Sequence, residues 1–65
     1  MATNIKKSAA TIRKIRENAS IGVARIDSLL TSKNAEERAL GRSLKSFFDQ
    51  ITADANDALM YLDTY

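Results

Sequence analysis

From Met1 to Tyr65 the chain has no proline, and its only glycines are Gly22 and Gly41. A chain so short of turn-makers has few places to reverse. The one cluster of turn and cap residues is TSKNAEER, residues 31–38. Asn34 is placed to accept a hydrogen bond from the first free N–H groups of a helix. Glu37, three residues on, can reach back to complete a capping box. Lys33 falls at the negative end of a preceding helix dipole. These signals predict a helix over about 3–32, a turn at about 33–34 and a second helix over about 35–64.

Apolar spacing agrees on both sides of the turn. Ile5, Ile12, Ala19 and Ile26 recur every seven residues. Ser8, Ile15, Gly22 and Leu29 follow three positions after each, and Ala9, Val23 and Leu30 widen the stripe. In the second half Leu40, Leu44, Phe47, Ile51, Ala55, Ala58 and Leu62 are three or four residues apart. That is the period of an amphipathic helix and is incompatible with strand alternation. The fold class expected is all-α, an antiparallel two-helix hairpin forming one domain over residues 1–65. Folding back at the turn is expected to set Ala19 and Gly22 opposite Phe47 and Leu44, small against large, as interdigitated layers require.

One hairpin has one seam and cannot enclose a core. Chains this short usually need a disulfide, a metal or a partner subunit. Cysteine and histidine are both absent, so neither disulfides nor the common soft metal ligands are on offer. The expected remedy is self-association, most simply a homodimeric four-helix bundle. Ile12, Ala19, Gly22, Ile26, Leu44, Phe47, Phe48, Ile51, Met60 and Tyr61 are the candidate residues for an oligomer or partner interface.

The same absences argue against catalysis. No serine has a histidine to activate it. Glu36 and Glu37 are neighbours on a helix and point apart. Asp54 lies on the apolar stripe one turn from Asp57, and hairpin register sets it near Arg13 or Arg16, where an ion pair is expected. No phosphate-binding loop and no metal-ligand spacing is present. The expectation is a non-enzymatic protein without a cofactor or a metal. No run reaches the roughly 18 apolar residues that span a bilayer, and MATNIKK lacks the apolar segment of a secretion signal, so a cytoplasmic location is expected.

Charge is distributed unevenly. IKKSAATIRKIR, residues 5–16, carries five positive charges and no negative one. Residues 1–33 have a net charge of +5 and residues 34–65 of −3, and every charged residue after Lys45 is acidic. Lys6 and Arg13 share one helical row, Lys7 and Lys14 the next, with Arg16 on the flank. This pattern supports two readings. The basic start of the first helix can pair with Asp49, Asp54, Asp57 and Asp63, offsetting two unfavourable dipole ends. Alternatively, it is an anion-binding face that attracts phosphate backbones without reading sequence.

RKIREN, residues 13–18, with the overall length and single turn, resembles the Rop-type family of dimeric helical hairpins that bind paired RNA loops. The resemblance implies a dimer, with Arg13, Arg16 and Asn18 on an outward RNA-contacting segment. Lys14 stands where that family has an aromatic residue, and the family's cysteines and acidic tail are missing. AEERALGRSL and ANDAL, residues 35–44 and 55–59, are similar to the second helix of phage hairpins that sequester cyclic oligonucleotides. That resemblance implies a nucleotide messenger as ligand, although Asp54 and Asp57 replace the tryptophan and lysine of the pattern.

The leading expectation is a regulatory protein holding RNA or another nucleic acid through Lys6, Lys7, Arg13, Lys14, Arg16 and Asn18. The alternatives are an inhibitor or adaptor that captures a partner protein through Met60, Tyr61, Tyr65 and Ile21, or a messenger-sequestering protein.

Overall fold

The computed structural model describes residues 2–65. Three helices follow in order, α1 (Ala2–Arg25), α2 (Asp27–Leu30) and α3 (Ala35–Leu62), and no strand forms among the described residues. The expected first helix is therefore divided at Ile26, whose backbone (φ −90°, ψ 7°) leaves the helical well. The bond pattern nearly carries through the break. Ile26 N–H donates to Gly22 O at 3.1 Å, and Leu30 N–H to Ile26 O at 3.2 Å. The bend tilts α2 onto α3, where Gly41 receives it. A Cβ built on Gly41 would lie 3.0 Å from Leu29 Cβ and 3.1 Å from Leu30 N, so only glycine allows that approach without displacement.

The reversal spans residues 31–34, wider than the two-residue turn expected. Asn34 Oδ1 accepts from Glu36 N at 2.8 Å and Glu37 N at 3.1 Å, as its cap role requires. Glu37 does not reach Asn34 N directly. Ser32 Oγ accepts from Asn34 N at 3.0 Å and donates to the Glu37 carboxylate, so the capping box closes through a hydroxyl. The carbonyl of Ser32 is satisfied by Arg38 Nη1 at 2.7 Å. An arginine from the next helix thus takes the place expected for Lys33 at the end of the first arm.

Packing corrects the facing register. Gly22 meets Phe48, whose Cε1 and Cζ would lie 2.7 and 2.8 Å from an added Cβ. The large residue over this small one is Phe48, not Leu44 or Phe47. The inward row of α3 is Gly41, Phe48, Ala55 and Leu62, supported by Thr52 and Leu59, all buried or half-buried. Its rotation follows from Gly41, because once that residue must face α2, positions 48, 55 and 62 follow at seven-residue spacing. Leu40, Phe47 and Ile51, expected in the seam, are exposed, and so is Ile15 on α1. Thr52 tolerates its place because its hydroxyl donates to Phe48 O at 3.0 Å.

The result is a single layer. Among the described residues only Ala19 and Ala55 are buried hydrophobic residues, and no large side chain is fully buried. The molecule measures 51 × 15 × 10 Å, with a radius of gyration of 15.2 Å. A compact domain of this length would have about 11 Å. Among the described residues no helix is long and apolar enough to cross a membrane.

Candidate anion-binding face

Lys6, Lys7, Arg13 and Lys14 are all exposed on α1. Their positions follow from the seven-residue spacing that sends Ile5, Ile12 and Ala19 inward. Lys6 and Arg13 border the cleft between the helices. They line one groove with Ile5, Ala9, Leu59, Leu62 and Asp63. Arg13 continues into a second groove with Arg16, Glu17, Ser20, Asp49 and Thr52. Lys7 and Lys14, one row further round, point directly to solvent.

Arg16 is half-buried and held. Its Nη1 donates to Asn56 Oδ1 at 2.8 Å, across the seam. The acceptor is neutral, so the guanidinium keeps its full charge while losing conformational freedom, a useful state for a phosphate contact. Asn56 had no signal in the sequence, because its role depends on the register of the two helices.

Asn18 does not join this group. It lines a groove with Ile15, Ala19, Phe48 and Ile51, on the opposite flank of the seam from Arg13 and Arg16. The expected six-residue cluster thus divides: Lys6, Arg13 and Arg16 line the grooves of one flank, while Lys7 and Lys14, by helical spacing, lie round the outer face toward the side of Asn18.

Of the four carboxylates expected to neutralise the basic stretch, Asp49 and Asp54 are engaged elsewhere, and neither Asp57 nor Asp63 comes within ion-pair distance of an α1 cation. Among the described residues the ion pair formed within 4 Å is Lys45–Asp49, at 2.7 Å and within α3. Asp54, expected near Arg13 or Arg16, is exposed and accepts from Gln50 Nε2 at 2.9 Å. Its displacement follows from the rotated register, which turns position 54 away from α1. Glu17, Asp49 and Asp63 still line the grooves and temper the positive field there. No family model, curated protein or solved structure matches the chain. Any function must therefore be read from the geometry of these residues.

Chemically, the face offers exposed ammonium groups on flexible stems and one guanidinium fixed by a neutral acceptor. Such an array suits a polyanion recognised by charge, with no aromatic among the cations to stack on a base. At the end of the hairpin opposite the turn the Tyr61 and Tyr65 rings lie 5.9 Å apart at 58°. The hydrogen bond with Tyr61 raises the pKa of the Tyr65 phenol above its ordinary 10.0, with a smaller contribution from desolvation.

Proposed function

We propose that this chain is a non-enzymatic, cytoplasmic binding protein that works as a homo-oligomer, most simply a four-helix dimer. Its α1 face, Lys6, Lys7, Arg13 and Lys14 with Arg16, holds RNA or another nucleic acid. The observation that carries the reading is the placement of the carboxylates. Asp49 is paired with Lys45 and Asp54 with Gln50, and among the described residues no carboxylate forms an ion pair with an α1 cation, which leaves those cations available to an external anion. Neutralising four phosphates gives a slope of log K against log salt of about −3.6 for a duplex, or about a hundredfold loss from 50 to 200 mM. The test is RNA affinity across that salt range for the native chain and for a Lys6, Lys7, Arg13, Lys14 to alanine variant. Steep salt dependence lost in the variant supports the reading, whereas equal affinity of the two chains refutes it.

A second reading, capture of a partner protein, draws on Met60 and Ile21. They are 69% and 42% exposed, and helical spacing sets them on the outer sides of α3 and α1. Binding of that kind would be less sensitive to salt and weakened by Met60→Ala, Tyr61→Ala or Ile21→Ala.

A further inference from the structure

The two flanks of the hairpin differ sharply. One carries Lys6, Arg13, Arg16, Glu17, Asp49 and Asp63 along its grooves. On the other, Ile15 of α1 and Ile51 of α3 open into a common groove. Leu40 and Phe47 occupy the adjoining row of α3 on that same side. Ile15 is 48% exposed, Leu40 53%, Phe47 69% and Ile51 39%. Isolated exposed apolar residues are ordinary on a protein surface, but a contiguous set on one flank is an interaction surface.

The identity of the occupant follows from area. The chain exposes 5103 Å², whereas a folded monomer of 7.2 kDa is expected to expose about 4,100 Å². The excess of about 1,000 Å² matches the roughly 800 Å² that each partner buries in a stable dimer. Every copy carries the same excess and the same apolar flank. A self-complementary contact between two copies removes both at once and turns one helical layer into the two that a core requires.

We infer that a second copy of this chain docks on the flank bearing Ile15, Leu40, Phe47 and Ile51. Of the residues expected at an interface, Ile12, Ala19, Gly22, Ile26 and Phe48 are occupied within the hairpin. Phe47 and Ile51 belong to the contact between copies, while Met60 stays outside it. The inference rests on the self-association in the proposed function and not on its ligand. In the resulting dimer the Lys6, Arg13 and Arg16 flank of each copy faces outward.

The chain has no cysteine, so single-cysteine variants report cover at chosen positions. Phe47 and Met60 are equally exposed in one hairpin, at 69% each. Without RNA and at high protein concentration, Phe47→Cys should react with a maleimide at least about tenfold more slowly than Met60→Cys, because the reagent must wait for the interface to open. Dilution should erase the difference. Phe47→Glu should lower the mass by light scattering from twice 7.2 kDa to 7.2 kDa. Should that variant fail to fold, the labelling comparison still decides. Equal labelling rates in a chain that scatters as a dimer would place the contact elsewhere. A native mass of 7.2 kDa at every concentration would overturn the inference outright. Neither result depends on nucleic-acid binding, so the two readings fail separately.

Discussion

Replacing Gly22 by alanine sets two effects of opposite sign against each other. Alanine in mid-helix is worth about 1 kcal/mol over glycine. The new methyl, however, would lie 2.7 Å from Phe48 Cε1 and 2.8 Å from Cζ. Carbon atoms in contact prefer about 3.5–4.0 Å, so the ring or the helix must yield by roughly 1 Å. Overpacking of that size costs about 1–3 kcal/mol. The expected net effect of Gly22→Ala is a loss of about 1 kcal/mol, or about 4–8 °C in Tm for a chain near this size. Urea unfolding followed by circular dichroism measures it, at one fixed protein concentration because self-association contributes to stability. The decisive arm is the double variant. Phe48→Leu removes both ring carbons, so adding Gly22→Ala to it should gain about 1 kcal/mol and give a coupling of about 2 kcal/mol. On a Phe47→Leu background Gly22→Ala should still be destabilising. A stabilising Gly22→Ala in the native chain, or an inversion that follows Phe47, would refute the facing register described above.

Gly41→Ala should cost more, about 2 kcal/mol net, because its neighbours are Leu29 Cβ and the Leu30 and Leu29 backbone at 3.0–3.2 Å; urea titration checks the value, and no single side-chain truncation should restore stability. Asn34→Ala should lose about 1 kcal/mol in the same assay, and Asn34→Ser should retain most of it, since a serine hydroxyl can still cap. Tyr65 should ionise above 10.0 when followed by phenolate absorbance, and Tyr61→Phe should bring it back toward that value. The sign is fixed by the shift. A phenol whose folded pKa is raised contributes stability below its unfolded value and loses it as pH rises through the folded one.

The helices and the cap were legible in the sequence because their causes are local. The three- and four-residue spacing of Leu40, Leu44, Phe47 and Ile51 requires a helix whatever it packs against, and Asn34 caps from its own side chain. Which apolar row faces the partner helix is not local. Both rows of α3 are helical and largely apolar, and the inward one contains Gly41 and Thr52, which hydropathy does not count. Close approach at Gly41 and the bond from Thr52 to Phe48 O decide between them. The candidate site divided along the same line. Lys6, Lys7, Arg13 and Lys14 were placed outward by position relative to Ile5 and Ile12 on one helix. The anchoring of Arg16 by Asn56, the separation of Asn18 from it and the turning of Asp54 away all depend on how two helices meet.

The most direct measurement is the molar mass of the pure chain by light scattering, with and without bulk RNA, at low and at high salt. A mass of twice 7.2 kDa that rises with RNA only at low salt is the expected result, since phosphate contacts weaken steeply as salt increases. A dimer whose mass ignores RNA at low salt would contradict the claim that the α1 cations hold nucleic acid.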